Sequence, residues 1–166
     1  KLNLALAAGL ALPLLGASTE AALRDDPLDA GLATAFDALF ATRPTAVNLR
    51  WALERVRGVV AELPAAQRAE AAWNEALQIS EDDVAANAAL GKHAQPVLEK
   101  VLAAKTDKTL NVMTHCNAGW LATVDWGTAL SPVYQAHENG MKVHVWVSET
   151  RPRNQGASLT AWELGQ

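Results

Sequence analysis

The chain has 166 residues, half of them hydrophobic and 19% charged, a globular balance that excludes intrinsic disorder and leaves room for one ordinary domain or two small ones. A net charge of −4 supplies no basic footprint, so nucleic acid is not an expected partner. The single cysteine cannot close an internal disulfide, which points to a reducing compartment, the cytoplasm.

The opening stretch, "KLNLALAAGLALPLLGASTEAALRDD", carries no charge from Leu2 to Thr19. A lysine, an apolar run and Gly-Ala-Ser have the form of a secretory signal peptide. Gly9, Pro13 and Gly16 make the run marginal for a membrane span of about 20 residues. Its Ala and Leu content fits a buried helix better, so no membrane partner is expected. The chain has no initiator methionine, and a piece of something longer is expected.

From Pro27 to Gln95 the pattern is helical. In "DPLDAGLATAFDALFAT", Leu32, Ala35, Phe36, Leu39 and Phe40 share one face. Thr42-Arg43-Pro44-Thr45 punctuates it: Pro44 pushes Arg43 out of the helical region, and Thr45 is placed to cap the next helix. Leu49, Leu53, Val56, Val60 and Leu63 then recur at steps of 4, 3, 4 and 3. Pro64 ends that helix. "AAQRAEAAWNEALQI" reads as another. Ser80 with Asp83 forms a capping-box pattern, so a new helix is expected to start there, with Asp82 and Asp83 as first-turn charges. Lys100, Lys105 and Lys108 lie towards its far end, matching the helix dipole. Gly91 and Pro96 predict an interruption.

After Lys108 the texture changes. "TLNVMTH" is short and rich in strand formers. "AGWLATVDWGTALSPVYQAHENG" is helical in composition, closed by the stop signal Asn139-Gly140. "KVHVWVSET" alternates Val143, Val145 and Val147 with His144, Trp146 and Ser148, and Arg151-Pro152 bounds it. "ASLTAWELGQ" begins a further helix. Strand, helix, strand, helix predicts a parallel α/β layer. The boundary is expected at residue 107/108: a helical domain over 1–107 and the first part of a Rossmann-like domain over 108–166. Two parallel strands do not make a stable doubly covered sheet alone. More chain, or another chain, is expected to complete it.

Open α/β sheets bind ligands at the carboxyl ends of their strands, and Cys116 falls there, after the first strand. If Gly119 begins the helix, first-turn N–H groups point at the thiol, a setting that favours a thiolate or a phosphate. His115 and Asn117 are candidates to add hydrogen bonds, and Ala118 and Gly119 keep bulk away. The competing reading makes Cys116 a small buried hydrophobe. One cysteine and four histidines (93, 115, 137 and 144) show no ligand spacing, so no metal is expected. Trp120 and Trp126 could wall a pocket. Glu149 and Arg151 flank Thr150 and read as surface charges, paired with each other or in solvent.

Four blocks, "RPTAVNLRWAL" (43–53), "EDDVAANAALGKHA" (81–94), "THCNAGWLATVDWGTAL" (114–130) and "SETRPRNQGASLTAWEL" (148–164), occur in the order that resembles the methylthioribose-1-phosphate isomerase family. That family is related to the regulatory subunits of initiation factor 2B. The resemblance implies a helical amino-terminal domain followed by a Rossmann-like domain, in a homodimer. It places Cys116 on the family's catalytic cysteine, and Arg43 and Gln155 on substrate-binding positions. It implies a sugar-phosphate substrate and no cofactor. It also turns the opening run into a buried first-domain helix.

The departures are specific. The Arg-Gly-Ala-Pro loop that helps to hold the phosphate is not in these residues. Neither is the Gly-Ala-Asp-Arg block, whose aspartate is the family's proton donor, nor the Asn-Lys pair after it. Ser148 stands where the family usually has aspartate, and Ala94 where it often has glycine. The implied reaction is an aldose–ketose isomerisation of S-methyl-5-thioribose 1-phosphate in methionine salvage, with this piece alone inactive. A ribose 1,5-bisphosphate isomerase and a non-catalytic initiation factor 2B-like subunit are the alternatives.

Overall fold

The computed structural model describes residues 25–166, so the expectation for the opening run lies outside the described residues. The described elements are α1 (Asp25–Ala41), α2 (Val47–Ala61), α3 (Ala65–Ala103), β1 (Leu110–His115), α4 (Ser131–Glu138) and β2 (Val143–Ser148). A π-helical turn, Gly156–Thr160, then runs into α5 (Ala161–Glu163). Helices come first and a parallel βαβ arrangement follows, the α/β class that the sequence predicts. The chain divides within α3 into two compact units, one ending at Glu81 and the other running from Asp82 to Gln166. No helix among the described residues is long and apolar enough to cross a membrane.

In the first unit, the apolar rows read from the sequence form the core. Leu32 and Phe36 of α1, Leu49, Leu53, Val56 and Val60 of α2, and Ala72, Ala76 and Ile79 of α3 are all buried. The four α2 side chains are fully buried, and each contributes roughly 1.5–3 kcal/mol by leaving water. Small residues on α3 let it approach these branched side chains. Pro64 does end α2, and buried Arg68 helps to close it: Nε donates to the Leu63 carbonyl at 2.8 Å and a terminal nitrogen to that of Ala61 at 3.4 Å. A cation at a helix C-terminus answers both the free carbonyls and the dipole. The cap expected of Thr45 is not made: Ala46 is the N-cap of α2, with no side-chain hydrogen bond.

Helix α3 corrects two expectations. It runs unbroken for 39 residues, so it neither starts at Ser80 nor breaks at Gly91 and Pro96. Helix-favouring, Ala-rich sequence on both sides carries it through the polar quartet 80–83. Asp83 instead reaches out of the helix, and its Oδ2 accepts the Val124 N–H at 3.1 Å. Gly91 is a contact point: a Cβ there would lie 2.2 Å from Gln135 Nε2 and 2.3 Å from Ser131 Oγ. Beside Pro96, which has no N–H to give, Gln95 Nε2 donates to the Gly91 carbonyl at 2.9 Å and to that of Pro132 at 3.1 Å.

In the second unit β1 and β2 pair in parallel from Leu110↔Val143 to His115↔Ser148. Helix α4 lies against the second half of α3, where Ser131 Oγ donates to the Asn87 carbonyl at 2.7 Å and Gln135 Nε2 to that of Ala88 at 2.9 Å. On the sheet, Met113 and its register partner Trp146 stay exposed, at 73% and 60%.

The long helix expected over 118–140 is a further correction. Only Ser131–Glu138 is helical, and 116–130 is an irregular loop. Trp126 and Gly127 have φ of +65° and +73°, which no right-handed helix accommodates. A Cβ on Gly127 would sit 2.4 Å from the Gly119 backbone, so two glycines let the loop cross itself. Thr123 Oγ1 accepts the Gly127 N–H at 3.1 Å and donates to the Asp125 carbonyl at 2.9 Å. Such local side-chain bonds compete with a helix ladder.

Candidate functional site

The site is built where β1 ends. Cys116 follows His115 with φ of +64°, a left-handed turn that costs a non-glycine residue strain and is held by its surroundings. The half-buried thiol donates to Oε1 of Gln155 at 2.6 Å. Thus two residues 39 apart in sequence, both marked by the family resemblance, share one contact. The parallel register causes it: His115 is level with Ser148, so the turns leaving both strands emerge side by side.

Gln155 is set in place by the turn after β2. Glu149 accepts three backbone N–H groups, from Thr150 at 2.7 Å, Gly156 at 2.9 Å and Ala157 at 3.1 Å. These bonds, that of Thr150 first, hold its carboxyl below the ordinary range. Glu149 is therefore an anchor for the turn, and the surface charge, paired or in solvent, read from the sequence understates it. Gly156 is required for close approach: a Cβ there would lie 2.7 Å from the Ser148 carbonyl oxygen. In the same turn Thr150 Oγ1 and Asn154 Oδ1 are buried without hydrogen-bond partners.

The supporting roles expected around the sulfur are redistributed. No helix begins at Gly119, so no helix terminus formed there faces the thiol. His115 Nδ1 lies 3.1 Å from Ser148 Oγ across the strands, not against the sulfur. Asn117 Nδ2 donates to Thr160 Oγ1 at 3.1 Å and to Glu163 Oε2 at 2.5 Å. Thr160 Oγ1 in turn donates to the Cys116 carbonyl at 2.5 Å. Gly119 makes room: a Cβ would sit 2.1 Å from Glu163 Oε1. Trp120 packs on Trp162 with ring centroids 6.0 Å apart.

Glu163 is the residue that sequence reading misses. It is 3% exposed, and Oε1 also accepts the Leu121 N–H at 3.2 Å and the Tyr134 hydroxyl at 3.0 Å. Burial first, then the hydrogen bond to Glu163 and its charge, raises the Tyr134 phenol above its ordinary range, which keeps it a donor. The available signal is Thr160-x-x-Glu163, two polar residues one helical turn apart in the block after β2.

Arg43 is exposed in the turn between α1 and α2, where its carbonyl accepts the Ala46 N–H at 3.0 Å. It belongs to the first compact unit, and Cys116 and Gln155 belong to the second. Among the described residues no three His, Cys, Asp or Glu side chains gather as metal ligands would.

Known proteins resemble this chain along nearly its whole length. The family described as the initiation factor 2 subunit family matches residues 2–166. The methylthioribose-1-phosphate isomerase of Dechloromonas aromatica is 58% identical over 158 residues, which cover 93% of this chain and 43% of that protein. Two crystal structures each align with 99% of the chain. The 5-methylthioribose 1-phosphate isomerase of Pyrococcus horikoshii does so at 38% identity and a TM-score of 0.81, over 44% of its own length. The delta subunit of translation initiation factor eIF-2B from A. fulgidus does so at 40% identity and a TM-score of 0.74, over 45% of its length. The chain spans 41% to 43% of the length of the curated relatives it matches.

Proposed function

Because this chain belongs to the initiation factor 2 subunit family, we propose that it supplies the cysteine-bearing part of an aldose–ketose isomerase acting on S-methyl-5-thioribose 1-phosphate. The observation that carries the reading is the contact between Cys116 Sγ and Gln155 Oε1 at the carboxyl end of β1. The isomerases named above, at up to 58% identity, support the choice of substrate.

The chemistry explains why a thiol suits the task. A phosphate ester on the anomeric carbon prevents the sugar from opening freely to an aldehyde. Ring opening needs an acid at the ring oxygen, and hydrogen must then move between C2 and C1. Cys116 stands as the catalytic residue, either taking the C2 proton or steadying charge while a hydride moves. Gln155 positions the sugar, and Arg43 forks to the phosphate. The acid belongs to the Gly-Ala-Asp-Arg block that the family resemblance implies and these residues lack. The whole enzyme works in the cytoplasm as a homodimer.

A second reading, a regulatory subunit, is favoured by the likeness to the eIF-2B delta chain, at a TM-score of 0.74. A regulatory role gives no reason to retain Cys116 on Gln155. The test is turnover of S-methyl-5-thioribose 1-phosphate by a full-length protein carrying these residues. Wild type is expected to be active, Cys116→Ala to lose roughly 10²–10⁴-fold in kcat with unchanged circular dichroism, and Arg43→Ala mainly to raise KM. Turnover indifferent to the cysteine would refute the catalytic assignment. A wild type inert towards the sugar phosphate would favour the regulator.

A further inference from the structure

The geometry points to Glu163 as a positioning residue: its buried carboxylate, in the space left by Gly119, locks the loop that carries Cys116 onto Gln155. This rests on the catalytic reading of Cys116.

A carboxylate that is 3% exposed is costly unless its lone pairs are answered. Here three donors answer it, and two of them belong to the cysteine loop: the Asn117 amide and the Leu121 N–H. The third, the Tyr134 hydroxyl, comes from α4, and Glu163 itself sits on α5. One side chain therefore ties the loop to two helices. Thr160, one turn earlier, closes a second link by donating to the Cys116 carbonyl and accepting from Asn117. Both links act on the backbone at and just beyond Cys116, where φ of +64° needs external support. Glu163 does not touch the sulfur. It acts by limiting where the sulfur can go.

The polarity of the pair is specific. Asn117 Nδ2 serves Thr160 and Glu163 together. Glu163→Gln keeps size but replaces one acceptor oxygen with a donor. Either Asn117 or the Leu121–Tyr134 pair then faces a donor, and turning the Asn117 amide over abandons Thr160.

The test uses a full-length protein carrying these residues, with two readouts: turnover of S-methyl-5-thioribose 1-phosphate, and the rate at which iodoacetamide alkylates Cys116, followed by mass spectrometry. Glu163→Gln is expected to lower kcat by roughly 10–100-fold with KM little changed, because small misplacement of a reacting group costs rate more than binding. Cys116 alkylation should accelerate several-fold as the thiol leaves Gln155. Tyr134→Phe, which removes one donor to Glu163 together with the hydroxyl's own bond to the Trp120 backbone of the loop, should move both readouts the same way by less, and it decides the matter if Glu163→Gln does not fold. Alkylation and kcat at wild-type values in either folded variant overturn the assignment. If wild type itself does not turn over the sugar phosphate, the isomerase reading fails, and alkylation alone still judges whether Glu163 holds the loop.

Discussion

At Gly119 a methyl group would be placed 2.1 Å from Glu163 Oε1, an oxygen already fixed by the Leu121 N–H and the Tyr134 hydroxyl. Gly119→Ala must push that carboxylate off its donors or distort a backbone against which Gly127 packs. Overfilling a tight site typically costs about 1–3 kcal/mol, and here the loss of a buried carboxylate's partners adds to it. The expected outcome is a urea midpoint well below wild type in equilibrium unfolding. A Gly119→Ala variant as stable as wild type would mean that the Glu163 carboxylate has room to move. The sequence marks Gly119 as small and near the thiol for a different reason, the start of a helix. Its size was legible; its neighbour was not, because 44 residues separate Gly119 from Glu163 and only the parallel register brings them together.

Elements show the same division. Strands and core helices were legible because burial imposes a period: Leu49, Leu53, Val56 and Val60 repeat as one helix face and are all fully buried. The two strands fell where β-branched residues cluster, at Leu110–His115 and Val143–Ser148. Local signals misled where tertiary contacts override them. Ser80 and Asp83 have the form of a helix start, yet Asp83 is spent on the Val124 N–H in mid-helix. Residues 118–130 have helical composition, yet Thr123, Trp126 and Gly127 fold them into a loop. Gly91 gives a quantitative case. In an exposed helix, Gly→Ala gains about 1 kcal/mol. A Cβ at Gly91 would instead meet Gln135 Nε2 and Ser131 Oγ, both held by carbonyls of α3. Overpacking of about 1–3 kcal/mol wins, so Gly91→Ala is expected to lower stability in a urea melt, and a stabilised variant would contradict the docking of α4 on α3.

Across the whole molecule, the candidate residues are divided between the two compact units, Arg43 in one and Cys116 with Gln155 in the other. The chain also spans 41% to 43% of the curated relatives' length, so a complete catalytic set is a property to be tested in a full-length protein. What these residues provide is the thiol, the amide beside it and the buried carboxylate that fixes their loop. The central claim is that the sugar phosphate binds against Cys116. The direct measurement is the alkylation rate of Cys116 in a full-length protein, with and without S-methyl-5-thioribulose 1-phosphate at a hundred times its dissociation constant. Occupancy at that excess predicts protection of roughly 100-fold. Alkylation at the same rate with the site saturated would contradict the account.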